Sequence, residues 1–146
     1  MREILFRGKR YDGVWMEGGL FMHDPVRVCF SNEKKPAEPM IITDGFCDWG
    51  FEPPMLAAKV IPETVGQFTG LTDKNGKKIF EGDIVRYTND DGTLAFYKVV
   101  WGDDFGSWML EWINHSDKLC LRCMRELVEV IGNIHDNPEL LEVPNG

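Results

Sequence analysis

The segment TVGQFTGLTDKNGKKIFEGDIV, residues 64–85, sets the architecture of the chain. The Asn75–Gly76 pair predicts a tight turn, because both residue types tolerate a positive φ at the central turn positions. Glu81–Asp83 predicts a sharp bend centred on a glycine. Three short apolar runs, at residues 65–68, 79–80 and 84–87, predict strands on either side of the turn and the bend. The segment therefore predicts a β-rich fold.

Strand and turn signals continue on both sides of this segment. We expect further strands at residues 3–7, 14–22, 26–30, 40–43, 94–101, 107–112 and 129–136. The short strands after residue 62 predict a small antiparallel β-barrel, because closure removes exposed sheet edges. We therefore expect an α+β, mainly β chain with two subdomains. Residues 1–62 form a β-rich unit with a mobile loop at 31–39, and residues 63–146 form the barrel and a C-terminal tail.

One stretch carries a helical pattern. Apolar side chains at Leu119, Cys123, Met124 and Leu127 are spaced as on one face of a helix, which predicts a helix over residues 117–128. A strand beginning near Leu119 is the alternative. After Pro138, residues 139–142 predict a final helical turn.

Composition limits the classes of function. The 146 residues are 43% hydrophobic and carry a formal net charge of −8. Residues 61–146 hold eight basic and fifteen acidic side chains, a net charge of −7. Such an acidic surface repels phosphate backbones and disfavours nucleic acid as a partner. Because no apolar run is long enough to cross a bilayer and no signal peptide is recognisable, we expect a cytoplasmic protein without a membrane partner.

The cysteines allow two chemical interpretations besides packing. Cys120 and Cys123 have the C-x-x-C spacing of zinc ribbons and redox proteins. A zinc site would need two more ligands, for which His115 and Cys47 are the candidates. The redox interpretation would need a thioredoxin-like context, which the sequence does not show. We expect structural thiols and no bound cofactor.

Four residues are candidates for contact with a partner. Gln67 and Thr69 share one face of a predicted strand, where they either meet a partner or satisfy backbone groups near the turn. Trp108 and Trp112 lie on one face of another strand, where they either fill the barrel or bind a protein.

Glu81, Asp83 and His135 are weak candidates for a metal site. Carboxylates and a histidine bind divalent metals and share acid–base work. Acidic residues beside a glycine at a bend more commonly accept hydrogen bonds from local backbone N–H groups. We therefore expect no metal and no catalytic residues.

Five motifs together resemble the YopX-like proteins of bacterial phages and prophages. They are Arg2–Ile4, Thr64–Leu71, Asp73–Lys77, Ile79–Val85 and Val130–Leu141. The resemblance implies a phage or prophage origin and a C-terminal portion similar to an SH3-like barrel. It implies no activity and no catalytic residues.

These observations and the resemblance predict a phage- or prophage-encoded accessory protein, located in a bacterial host cell, that is a non-enzymatic module. Its expected partner is another protein or a second copy of the chain, giving an oligomer. The alternatives are a nucleic-acid-binding barrel and, behind it, a metal-dependent hydrolase built on Glu81, Asp83 and His135.

Overall fold

A computed structural model describes residues 2–24, 36–44 and 55–142. The chain packs as two compact units, residues 4–67 (the N-terminal unit) and residues 1–3 with 68–146 (the C-terminal unit). The boundary between the units falls inside a strand, between Gln67 and Phe68, whereas the predicted boundary follows residue 62. The predicted strand at 26–30 and the aromatic residues at 45–54 lie outside the described residues, as does most of the predicted loop at 31–39.

The N-terminal unit is an antiparallel sheet. Its described strands are β1 (Phe6–Lys9), β2 (Trp15–His23), β3 (Glu38–Asp44), β4 (Met55–Lys59) and the first two residues of β5 (Gly66–Thr72). They pair in the order β4-β3-β2-β1-β5. Because β3 begins at Glu38, the last two residues of the predicted loop are strand residues instead.

Two glycines allow neighbouring segments of this sheet to approach each other closely. Gly18 lies so near β3 that a β-carbon there would stand 2.8 Å from the carbonyl carbon of Ile42. A β-carbon on Gly8 would meet the buried side chain of Val60 at 2.8 Å. Glycine inside a strand commonly marks such a close backbone approach, which occurs here at Gly18 and not at Gly19.

The C-terminal unit contains the rest of β5 and all later elements. These are β6 (Lys78–Phe80), β7 (Asp83–Thr88), β8 (Leu94–Gly102), β9 (Ser107–Trp112), β10 (Lys118–Cys120), α1 (Leu121–Met124), β11 (Val128–Asn133) and a 3-10 turn, Pro138–Glu142. The 3-10 turn confirms the predicted helical turn after Pro138. Five strands pair antiparallel in the order β10-β9-β8-β7-β11.

One face of this five-stranded sheet carries the core of the C-terminal unit. Every second residue of β8 (Ala95, Tyr97 and Val99) is buried there, as a strand's period of two requires. The core also includes Ile79 of β6, Leu110 of β9 and Leu121 of α1, together with Val85, Val128 and Val130. The C-terminal part of the chain therefore has a hydrophobic core of its own.

The described strands form two antiparallel sheets and no closed barrel. The predicted closure is absent because β10 and β11 stand at opposite edges of the five-stranded sheet. β10 has only three residues before α1 begins, and β11 pairs with β7 instead of β10. The fold is therefore mainly β, as predicted, but its C-terminal sheet is open in the part of the chain that the structure describes.

The predicted helix at 117–128 is largely wrong. Only residues 121–124 are helical, and residues 118–120 form β10, in agreement with the alternative. The apolar spacing misleads because Leu119 and Leu127 are exposed, whereas Leu121, which is off the predicted stripe, is completely buried.

Three hairpin turns share one backbone geometry. In each, the N–H of the first residue donates to the carbonyl of the fifth at 2.8 Å, and the fourth residue is a glycine with positive φ. The turns span Arg10–Val14, Asp73–Lys77 and Asn89–Thr93. A three-residue loop that ends in a left-handed glycine matches the right-handed twist of the strands it joins.

Candidate binding surface

The turn at Asp73–Lys77 is hydrogen-bonded to the distant strand β11. Asp73 is 5% exposed, and its Oδ1 accepts hydrogen bonds from the backbone N–H groups of Asn75 and Lys77 at 2.8 and 2.9 Å. Its Oδ2 accepts a third from the N–H of Val130 at 2.9 Å. The pairing of β11 with β7 shifts register just after Val130, so the carboxylate serves a backbone group beside a bulge.

The Glu81–Asp83 bend also reaches the end of β11. Gly82 has φ +84°, and its carbonyl accepts a hydrogen bond from the Ile134 N–H at 2.9 Å. The buried Asp83 carboxylate accepts from the N–H of Phe80 at 2.8 Å. The two separated segments of the candidate metal set therefore meet, and these backbone contacts have a structural role. Among the described residues, no three His, Cys, Asp or Glu side chains are grouped so as to hold a metal ion.

Thr69 is engaged inside the C-terminal unit. It is buried, and its hydroxyl donates to the carbonyl of Ile79 at 2.8 Å and accepts from the N–H of Leu71 at 3.2 Å. This is the structural role of the two considered for it. Gln67, on the other side of the unit boundary, is half-buried and pairs with Phe6 of β1.

Trp108 and Trp112 share one face of β9, and that face packs against the core. Trp108 contacts Trp101 of β8 edge to face, with ring centroids 5.0 Å apart. Trp112 lies 6.2 Å from the ring of Tyr97 and stacks on His115 at 3.9 Å. Both tryptophans are half-buried, so their main role is to extend the core towards the edge of the unit.

Two exposed aromatic residues of the C-terminal unit lie at the adjoining hairpin end. Trp101 is 44% exposed and Phe105 is 65% exposed, and the turn between them carries the exposed carboxylates of Asp103 and Asp104. We call Trp101, its ring partner Trp108 and Phe105 in the turn the aromatic corner. The sequence singled out Trp108 and Trp112 and did not select Trp101 and Phe105, which are more exposed. The signal available was their position on either side of a Gly–Asp–Asp turn.

A cleft opens beside the aromatic corner. It has a volume of about 450 Å³ and is lined by Trp101, Asp103 and Val100 together with Glu81, Gly82, Lys98, Val99 and Ile134. Its lining combines apolar side chains with the carboxylates of Glu81 and Asp103 and the ammonium group of Lys98, so it suits a partner that presents an apolar anchor beside a positive charge.

A second cleft of about 500 Å³ lies at the opposite end of β9. Trp112, Asn114, His115 and Leu141 are among the residues that line it. Asn114 is the only non-glycine residue with a positive φ among those described, at 67°, and asparagine tolerates this conformation well. At its wall Lys98 lies 3.5 Å from Glu111, which neutralises both charges. The stacked rings of Trp112 and His115 form part of its wall.

The two described cysteines are neighbours across the first turn of α1. Both are free thiols, Cys120 half-buried and Cys123 exposed. The nearby backbone N–H and thiol of Cys123 lower the pKa of Cys120. The nearby sulfur of Cys120 raises the pKa of Cys123. His115 stacks on Trp112 and joins no metal-binding group among the described residues. Cys47 lies outside them.

Comparison with known proteins gives a family and a fold. The family model described as YopX protein matches residues 26–142. Among solved structures, the crystal structure of protein EF1440 from Enterococcus faecalis is similar, with a TM-score of 0.52 and 24% sequence identity. The match covers 97% of this chain and 99% of that one. At this identity the likeness concerns the fold alone. No curated protein sequence matches the chain. No helix among the described residues is long and apolar enough to cross a membrane.

Proposed function

Because the chain belongs to the YopX protein family, as the match over residues 26–142 shows, we propose that it is a phage- or prophage-encoded accessory protein that binds another protein. It acts without catalysis, and the aromatic corner is its contact surface. The observation that carries the proposal is the exposure of Trp101 and Phe105 at one hairpin end.

The energetics of interfaces support this choice of surface. Tryptophan and other large aromatic side chains contribute most of the binding energy in many protein complexes, because they bury a large area with little loss of side-chain entropy. Trp101 is already oriented by its edge-to-face contact with Trp108, so little conformational freedom remains to be lost on binding.

Charge indicates the chemistry of the partner. The chain has a net charge of −8, and Asp103 and Asp104 stand between the two exposed aromatic side chains. A partner segment with lysine or arginine beside an apolar residue would be attracted to this turn and pack on it. A second copy of the chain carries the same negative charge, so a basic protein fits better than self-association.

Affinity capture with matched variants tests the proposal. Lysate of a bacterial host is passed over the wild-type chain, the double variant Trp101→Ser/Phe105→Ser and the control Leu94→Ser/Leu127→Ser. The control removes apolar side chains that are 41% and 51% exposed in the same C-terminal unit. Each captured protein is then purified and its dissociation constant measured directly at low and high salt, while sedimentation reports the oligomeric state of each variant.

The proposal expects a basic partner whose binding weakens with salt. The Kd of the corner variant rises about 30-fold or more, because loss of a hot-spot aromatic residue costs ~2 kcal/mol of binding free energy. The control binds as the wild type does. Equal binding by all three chains would contradict the surface. A chain that remains monomeric and captures no protein would contradict protein binding altogether.

A further inference from the structure

The turn at Asp73–Lys77 encloses the peptide bond between Asn75 and Gly76. The Gly76 N–H donates to the main-chain carbonyl of Asp73 at 3.0 Å. The N–H groups of the two neighbouring residues, Asn75 and Lys77, donate to one oxygen of the Asp73 carboxylate at 2.8 and 2.9 Å. Asn75 and Gly76 are themselves exposed. The Gly76 N–H is therefore held inside the turn, although solvent reaches both residues.

An exposed Asn–Gly pair is chemically labile. The Gly76 nitrogen, after losing its proton to a base, attacks the side-chain carbonyl carbon of Asn75, and the side-chain amide nitrogen leaves as ammonia. Water then opens the cyclic imide at either of its two carbonyl carbons, which leaves aspartate or isoaspartate at position 75. The net reaction consumes one water molecule and releases one ammonia, with no oxidation or reduction. It is fastest before glycine, which has no side chain to hinder the attack.

We propose that this turn protects Asn75 from deamidation, so that the reaction proceeds only when the turn opens. The attacking nitrogen must first give up the proton that it donates to the Asp73 carbonyl, and must then move towards the Asn75 side chain. The Asp73 carboxylate resists this movement, because it holds the N–H groups on both sides of Gly76. Its third bond, from the Val130 N–H at 2.9 Å, holds the turn against β11.

Protection of this position preserves the geometry of the loop. The isoaspartate product carries the main chain through the former side chain, which adds one carbon atom between Asp73 and Lys77. The loop is closed by the bond from the Asp73 N–H to the Lys77 carbonyl at 2.8 Å. A longer main chain would displace the N–H groups that the Asp73 carboxylate holds. Deamidation of Asn75 is therefore expected to weaken the contact between the turn and β11.

Peptide mapping of the full-length chain measures the rate at Asn75. The chain is incubated at mildly alkaline pH, either folded or unfolded in concentrated guanidinium chloride, and is then digested briefly with chymotrypsin. Cleavage after Leu71 and Phe80 gives the peptide 72–80, in which Asn75 is the one asparagine. Conversion is read from the gain in mass and from the separation of the aspartate and isoaspartate forms. We expect the folded chain to react at least about tenfold more slowly, because only molecules with an open turn react.

Two variants distinguish opening of the turn from unfolding of the whole unit. Asp73→Ala is expected to lose most of the protection. The control Leu110→Ala truncates a completely buried core side chain and lowers stability, but it lies outside the turn, so it is expected to retain the protection. Each rate is compared with that of the same variant in guanidinium chloride. Hydrogen exchange of the Gly76 N–H in the wild type is expected to be slowed by a similar factor, because exchange requires the same opening.

The proposal is overturned if the folded and unfolded wild-type chains react at equal rates, or if the Gly76 N–H exchanges as fast as in an unfolded chain. Full protection in Asp73→Ala would overturn the role given to the carboxylate. Equal losses of protection in Asp73→Ala and Leu110→Ala would assign the effect to global stability instead. If Asp73→Ala does not fold, the two measurements on the wild type decide the proposal.

Discussion

Replacing Asp73 by alanine removes the side-chain connection between the β5–β6 turn and β11 and leaves the backbone hydrogen bond from the Lys74 N–H to the Val128 carbonyl. The carboxylate accepts three backbone hydrogen bonds, from Asn75, Lys77 and Val130, at 2.8 to 2.9 Å. We expect the variant to fold with the same strands but with a substantially lower free energy of unfolding, because one of the three N–H groups loses its partner in a buried position.

The size of the loss follows from where each N–H group lies. Asn75 and Lys77 are exposed, so water replaces the carboxylate there and each bond costs about 0.5–1.5 kcal/mol. The N–H of Val130 belongs to β11, and the side chain of Val130 is part of the core. Leaving this N–H without a hydrogen-bond partner costs about 1–3 kcal/mol. The total is about 4 kcal/mol at the centre of these ranges. With a urea m-value of about 1.5 kcal/mol/M, the midpoint of unfolding falls by about 2.7 M.

Urea unfolding followed by tryptophan fluorescence measures this shift. The control is Asp91→Ala, which removes an aspartate from the Asn89–Thr93 turn of the same geometry. Asp91 accepts hydrogen bonds within that exposed turn, from the N–H and hydroxyl of Thr93, so by the same accounting its loss costs about 2 kcal/mol and lowers the midpoint by about 1.3 M. The additional fall in Asp73→Ala measures the bond with Val130, and an Asp73→Ala midpoint within about 0.3 M of the Asp91→Ala midpoint would refute the role given to that bond.

Two further substitutions test the same region by the same urea measurement. Gly82→Ala places a side chain at φ +84°, where its β-carbon would have ordinary contacts. The expected loss of about 1–2 kcal/mol in the free energy of unfolding is therefore purely conformational. An unchanged midpoint would show that the bend tolerates another backbone conformation. Thr69→Val removes the hydroxyl that donates to Ile79 and accepts from Leu71, with an expected loss of about 1–2 kcal/mol, whereas Thr69→Ser retains both bonds and most of the stability. Equal losses for valine and serine would assign the effect to packing instead.

Turn positions follow well from the sequence because left-handed backbone is largely confined to glycine. Gly76 and Gly82 both have positive φ, where a turn and a bend were predicted. The prediction of a second positive φ at Asn75 is wrong, because this hairpin uses a three-residue loop in which only the glycine is left-handed.

Strand order does not follow from local patterns. β11 pairs with β7, more than forty positions earlier in the chain, and Asp73 bonds to Val130 over a separation of 57 residues. The residues of a turn do not indicate which distant sheet edge a strand will pair with. The predicted barrel therefore failed at the step that depends on long-range pairing, while nearly every individual strand in the C-terminal unit was placed correctly.

The candidate surface was predictable only in part. The alternation of β9 shows that Trp108 and Trp112 share a face, which the structure confirms. It does not show which face is buried, because Met109 on the opposite face is buried too. Trp101 and Phe105 are exposed because they flank a turn at the end of the sheet, a property of tertiary packing and not of spacing.

Hydrogen–deuterium exchange on the chain with its purified protein partner tests the central claim most directly. If the aromatic corner is the contact surface, binding slows exchange in residues 100–106 and leaves the equivalent turn at residues 88–93 unchanged. Protection confined to other parts of the chain, with the exchange of residues 100–106 unaltered, would contradict the account.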